Sequence, residues 1–293
     1  MLTAFIRKSC FASFLFMAVF VGEIYSQKVD RALEELAAAE RAFAAETVKV
    51  GFRDGFIKYF ADDGIGFGPE PQRTKEVLQK RPAPTGPRTL MFNWQPMFGD
   101  ISQAGDLGYT TGPVLYTDLS ANPRPPRHGM YFSVWQKQPD GTWKVAIDMG
   151  VDTPQEVAPI DTAFVSARPV VRGKSSNVGD FRSLDSMFSE SISKTSAPKA
   201  YGSLLYDEFR VHRKGMMPIT DKASLGKLTS WPTRFEFIDG KIASSKDLAF
   251  TYGKYTATDE TGYYVHVWRT DKSGTWRLVV DVQNPLPKSK DSQ

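Results

Sequence analysis

Two carboxylates stand at matching places in two matching stretches. "PDGTWKVAIDMG" begins at Pro139 and carries Asp148; "KSGTWRLVVDVQ" begins at Lys272 and carries Asp281. A strand-end carboxylate facing an apolar interior has its pKa raised by burial and can act as a general base near neutral pH. In a structural role the same side chain accepts hydrogen bonds from a backbone turn or a Trp N–H. Each copy also aligns polar-tipped aromatics on one strand face: Tyr131, Ser133 and Trp135 in the first, Tyr264, His266 and Trp268 in the second. Such side chains suit a wall holding a flat apolar ligand. They suit equally the outer face of a sheet packed on a neighbour. His266 marks the clearest divergence between the copies, because the first has Ser133 there. A His beside an Asp can move protons; a His at an interface only packs.

Glu40 and Asp185 are a third pair. Leu36, Ala39, Glu40 and Phe43 share one helical face, and Leu184, Asp185, Phe188 and Ile192 share another. A carboxylate among apolar residues needs a partner, so each is either an acid lining a cavity mouth or a polar bridge from helix to sheet. The candidate catalytic residues are thus Asp148, Asp281 and His266. The candidate ligand-binding residues are Tyr131, Trp135, Tyr264, Trp268, Glu40 and Asp185. His128 and His212 have no metal-ligand spacing, and there is no phosphate-cradling glycine loop and no Ser-His-Asp arrangement. Neither a metal nor a cofactor is expected.

The elements that must position these residues come in two sets. "DLGYTTG" at Asp106 recurs as "DLAFTYG" at Asp247, 141 residues on, and "GMYFSVWQKQPDGTW" at Gly129 recurs as "GYYVHVWRTDKSGTW" at Gly262, 133 residues on. The loop "SANPRPPRH", present only in the first copy, accounts for the difference. "ERAFAAE" at Glu40 matches "DSMFSES" at Asp185, at an offset of 145. Order is kept throughout, as in a tandem duplication. The expected units are 28–155 and 178–287, joined by a Pro/Ser/Gly-rich linker at 156–177 and followed by a polar tail at 288–293.

Each unit opens with helices. The second helical segment runs through "GFRDGFIKYFADD" to Gly64 in one copy and through "APKAYGSLLYDEF" in the other, with Pro198 in a first turn. Short third helices are expected at "RTKEVLQK" and "DKASLGKL". Strands follow, beginning with "RTLMFNWQPMF" and "TRFEFIDG". Asp140-Gly141, Ser273-Gly274 and Asp239-Gly240 read as hairpin turns, and Asp106 and Asp247 as turn residues opening a strand. Trp143 and Trp276 alternate with Val145, Ile147 and with Leu278, Val280, so they read as core. Strict alternation then puts Asp148 and Asp281 on the opposite face. Helices first and an antiparallel meander after make each unit α+β.

The 293-residue chain is 41% hydrophobic and 24% charged, a globular composition. Its net charge of +4 is spread without a basic run, which gives no nucleic-acid footprint. Arg7 and Lys8 precede a 13-residue apolar run and "EIYSQ", the pattern of a secretory signal peptide over 1–26, cut after Ser26. That run is short for a membrane span, which takes roughly 20 residues; a retained anchor is the alternative. The only cysteine, Cys10, lies in this segment. Export without disulfides suits a bacterial periplasm or exterior, with no membrane association once the signal is cut.

The order of these motifs resembles the SnoaL-like and ketosteroid-isomerase-like families of the nuclear-transport-factor-2-like superfamily, most of all a branch of undefined function. The resemblance implies two tandem cones, each with helices on a curved antiparallel sheet. It also implies an intramolecular pseudo-dimer, since family members often pack as dimers. The fold hosts isomerases, cyclases, dehydratases and binding modules. Ketosteroid isomerases hold an oxyanion with a Tyr of the first helix and an Asp of the sheet. Here that helix offers Phe43 and Phe188 with Glu40 and Asp185, so the isomerase constellation does not carry over. The reading is an exported two-domain protein that binds a small apolar or aromatic molecule in a cone cavity. One alternative is a cofactor-free isomerase-, cyclase- or dehydratase-type enzyme with Asp148 or Asp281 as base and Tyr131 or Tyr264 as donor. Another is a protein-interaction module.

Overall fold

The computed structural model describes residues 31–155, 165–166 and 180–287. The expected signal segment with Cys10, most of the expected linker and the polar tail lie outside the described residues.

The first unit begins with helix α1, residues 31–50, whose Leu36, Glu40 and Phe43 are buried on one face. Helix α2 (Phe52–Tyr59) runs directly into strand β1 (Phe60–Phe67). The helix therefore stops before the expected Gly64. Gly64 instead lies in β1, where a Cβ would stand 2.6 Å from the Val145 carbonyl oxygen, so strand pairing claims this segment. Next come β2 (Pro71–Arg73), α3 (Thr74–Lys80), β3 (Leu90–Trp94), β4 (Phe98–Ile101), β5 (Leu107–Asp118), β6 (Arg127–Lys137), β7 (Trp143–Asp148) and β8 (Val151–Thr153). Residues 165–166, within the expected linker, form β9 and pair in parallel with β4. The sheet order is β2-β1-β7-β6-β5-β4-β9, with β3 also on β5 and β8 also on β6.

The second unit repeats the plan with a 3-10 turn at Phe181–Ser183, α4 (Leu184–Lys194), α5 (Ala197–Leu204), β10 (Leu205–Arg213), a 3-10 turn at Ala223–Lys227, β11 (Pro232–Ile242), β12 (Leu248–Ala257), β13 (Thr261–Thr270) and β14 (Trp276–Pro285). Its sheet order is β10-β14-β13-β12-β11. In both sheets the first strand pairs in parallel with the last one of the meander: β1 with β7, and β10 with β14. Two mixed sheets, each with helices packed against it, make the chain the α+β two-unit fold expected. Gly141 and Gly274 take φ of 84° and 85° in the expected turns. Asp239-Gly240, by contrast, is no hairpin turn: it lies inside β11, where the register shifts between Phe237 and Asp239. A Cβ on Gly240 would meet the Phe250 carbonyl oxygen at 2.2 Å, so glycine serves strand approach rather than reversal there.

Each unit encloses its own core between helices and sheet. Phe43, Phe60, Trp94, Trp135 and Trp143 cluster in the first, and Phe188, Tyr201, Phe235, Trp268 and Trp276 in the second. A further cluster joins the outer faces of both sheets: Phe132, Val134 and Ile147 against Phe250, Val265, Val267 and Val280. The sheets thus pack face to face, helices outward. At one edge the contacts are reciprocal. Asp106 accepts from the Ser244 amide at 3.0 Å, and its counterpart Asp247 accepts from the Gln103 amide at 3.1 Å. Arg269 pairs with Asp100, and the Arg210 guanidinium lies 3.6 Å from the Phe98 ring centroid.

One irregularity decides the site. Trp135 pairs with Val145 but Val134 with Ile147, which leaves Ala146 unmatched; likewise Val279 is unmatched between Leu278 and Val280. A bulge of one residue reverses the alternation beyond it. Asp148 and Asp281 therefore face the interior on the same side as Trp143 and Trp276, not on the opposite face that strict alternation gives.

Candidate functional site

The helix carboxylates bridge to the sheet. Glu40 is fully buried and accepts from Trp94 Nε1 at 2.6 Å, Trp135 Nε1 at 2.7 Å and Thr110 Oγ1 at 2.6 Å. Burial pushes its carboxyl up to about 7, against the pull of those donors. Asp185, one methylene shorter, accepts from Tyr264 Oη at 2.8 Å and Thr251 Oγ1 at 3.0 Å and lies 2.8 Å from His266 Nδ1. Trp268 Nε1 turns to Thr251 Oγ1 at 3.0 Å instead. The aromatic strand faces point into the cones, so Tyr131, Trp135, Tyr264 and Trp268 all lie inside rather than between the units.

The strand carboxylates differ sharply. Among the described residues, Asp148 accepts one hydrogen bond, from Ser133 Oγ at 2.7 Å. It is half-buried and borders a cavity of about 510 Å³. Burial pushes its carboxyl up to about 6, with Ser133 opposing. The cavity wall is rich in aromatic residues, with Phe43, Phe56, Phe60, Trp94 and Tyr131 among them. The Tyr131 hydroxyl is buried without a well-formed hydrogen bond, beside Thr110. Burial, reinforced by the Glu40 and Asp148 charges, raises its pKa and keeps it protonated. Asp148 and Tyr131 therefore border one cavity.

Asp281 is fully buried and crowded with donors. It accepts from Tyr201 Oη at 2.6 Å, Arg213 Nη2 at 2.6 Å and Gln283 Nε2 at 3.1 Å, and His266 Nε2 lies 3.4 Å away. Burial would raise its pKa, but the Arg213 guanidinium and then His266 override that and hold the carboxyl well below the usual range. His266 lies between Asp185 and Asp281; burial disfavours its cation, and the two carboxylates outweigh that and raise its pKa. Asp185, His266, Asp281 and Arg213 thus form one buried network in the second cone. The donors are neither a backbone turn nor a Trp N–H; Trp donors go to Glu40 in the first unit.

Sequence reasoning missed Tyr201, Arg213 and Gln283, and with them the glycines of the first cavity. The signal was present. The offset of 145 that relates Glu40 to Asp185 also relates Phe56 to Tyr201, Phe60 to Leu205 and Gly68 to Arg213. The pairings Phe60 with Val145 and Leu205 with Leu278 bear out this alignment. The 133 offset relates Gly150 to Gln283. Among the described residues no group of three or more metal-binding side chains forms, and no helix is long and apolar enough to cross a membrane.

No protein-family model matches the chain, and no curated protein matches it. Solved structures do. A ketosteroid isomerase-like protein from Erwinia carotovora atroseptica is 15% identical, covering 39% of this chain and 91% of its own, with a TM-score of 0.31. A scytalone dehydratase-like protein from Novosphingobium aromaticivorans is 16% identical over 47% of this chain and 92% of its own, at 0.33. A protein from Catenulispora acidiphila in complex with S-DNPA is 12% identical over 41% and 92%, at 0.30. The two equivalent sheets, each with its first strand parallel to its last, fit a tandem duplication of one α+β unit.

Proposed function

We propose that the first unit binds a small, flat, largely apolar molecule in its cavity, and that the second unit serves as its packing partner. The observation that carries this is the aromatic cavity of about 510 Å³ with Asp148 and Tyr131 on its wall. Cavities of this size with a few convergent polar groups are typical small-molecule sites. The test is ligand-detected NMR with a panel of one- and two-ring aromatics against the wild-type chain and Val114→Trp, which projects a large ring toward the wall. Binding is expected in the first and not in the second; equal binding would move the site elsewhere.

A second reading has its own support. Asp148, with a pKa near 6, and the unsatisfied Tyr131 hydroxyl make a base and an oxyanion donor for proton transfer next to a carbonyl. It predicts exchange of α-protons for deuterium in small cyclic and aryl ketones. Asp148→Asn would slow that exchange by about 10²–10⁴-fold; no exchange with wild-type protein removes the reading.

The reciprocal Asp106 and Asp247 contacts support reading the two units as an intramolecular pseudo-dimer, in which equivalent residues make equivalent contacts. Export through residues 1–26 is proposed from the sequence. Its test is the N-terminal residue of the protein recovered outside the cytoplasm, expected to be Gln27.

A further inference from the structure

The first cavity is the negative image of side chains that fill the second. Around Asp281 the chain supplies Tyr201 Oη, Arg213 Nη2 and Gln283 Nε2. Their counterparts are Phe56, Gly68 and Gly150, and all three border the cavity beside Asp148. At each of these three positions the first unit lacks a donor that the strand carboxylate of the second unit receives, and the two glycines leave the space of the larger side chains open. Arg213 also makes a second donation from Nη1 to the Asp281 carbonyl oxygen at 3.3 Å, so a planar, forked cation is what that space accommodates.

We infer that the cavity takes an organic cation with N–H donors, of the amidinium or guanidinium type, on an aromatic or apolar body, with the cationic head against Asp148. Arg213 is the intramolecular stand-in for that head in the second unit. The wall suits the rest of such a ligand. Phe56, Phe60 and Trp94 offer aromatic faces, which attract a cation as well as an apolar ring. Arg81 also borders the cavity, from an exposed position where water screens its charge. The inference rests on the cavity-binding reading above and narrows its ligand.

Three probes of one shape and different charge test it: benzamidine, benzamide and benzoate, titrated calorimetrically into the full chain. Benzamidine is expected to bind at least about tenfold more tightly than benzamide, the scale of one charge-assisted hydrogen bond, with benzoate weakest. Asp148→Asn should abolish the preference while benzamide still binds. Gly68→Arg should abolish benzamidine binding, because it restores the internal cation; the added Cβ meets only the end of the Gln72 side chain, at 3.0 Å. Benzamide or benzoate binding as tightly as benzamidine would overturn the inference and leave an aromatic-binding cavity standing. Benzamidine preference surviving in Asp148→Asn would overturn it as well. If none of the three binds, the inference and the cavity reading fall together.

Discussion

Asp148 and Asp281 occupy the same place in two copies of one fold and live opposite electrostatic lives. Asp281 is fully buried, and Arg213 holds it ionised. Asp148 keeps one hydroxyl donor and an open cavity, and burial moves its pKa up to about 6. The backbone path, the bulge and the strand pairing are the same. The difference lies in what the neighbouring strand and helix present: Tyr201 and Arg213 in one cone, Phe56 and Gly68 in the other. A carboxylate's surroundings in this fold are thus set by residues far from it in sequence.

The comparison breaks most visibly if the second network is cut. Arg213→Ala strands Asp281 in a dry interior and should cost about 3–5 kcal/mol, the scale for removing one partner of a buried ion pair, read as a lower urea midpoint. Asp148→Asn removes no ion pair and relieves a carboxylate whose burial disfavours its charge, so at pH 7 it should cost nothing or stabilise. Equal costs would mean that the two sites are energetically alike.

The buried carboxylates of the two units should give pH dependences of opposite sign, each in its own pH range. Glu40 titrates near 7 in the folded protein, above the ordinary 4.5, so the folded state holds a proton that the unfolded chain releases. Stability from this group is greatest below about pH 4.5 and falls as pH rises to about 7, by roughly 3 kcal/mol. Asp148 acts in the same direction up to about pH 6. Asp281 is depressed, so its contribution is present above pH 3.8 and is lost as pH falls below it. Urea midpoints at pH 5 and pH 8 for wild type and Glu40→Gln check this: the variant should show a clearly smaller decline than the wild type, the remainder coming from Asp148 and His266, whose pKa values are also raised.

Much of the fold was legible because the duplication prints each strand twice. The α+β class followed from "DLGYTTG" and "DLAFTYG" and from the repeated "GTW". The orientation of Asp148 and Asp281 was not legible, since "WKVAID" and "WRLVVD" carry an unmatched residue that looks like ordinary alternation. The partners of Asp281 were hidden for another reason. Arg213 and Tyr201 lie 68 and 80 residues from it and meet it through the parallel pairing of β10 with β14 and the helix before it. No local pattern signals that pairing. Sequence did name Glu40 and Asp185 as carboxylates in need of partners, and left open whether those partners were ligand or protein.

A smaller effect sharpens the comparison. Tyr264→Phe removes a donor to the buried Asp185 carboxyl and should cost about 1–3 kcal/mol, as when a buried acceptor loses its partner. Tyr131→Phe removes a hydroxyl with no well-formed partner and should be neutral or slightly stabilising, by thermal melting of both variants. A large loss for Tyr131→Phe would reveal a role for that hydroxyl within the fold itself.

The most direct test of the central claim is a 13C NMR titration of the aspartate carboxyls, with Asp148 and Asp281 assigned from their Asn variants. Asp148 should titrate near pH 6, and Asp281 should remain ionised to the lowest pH at which the protein stays folded. Matching titrations of the two carboxyls in the ordinary aspartate range would contradict the account, because the two cones would then offer their carboxylates the same surroundings.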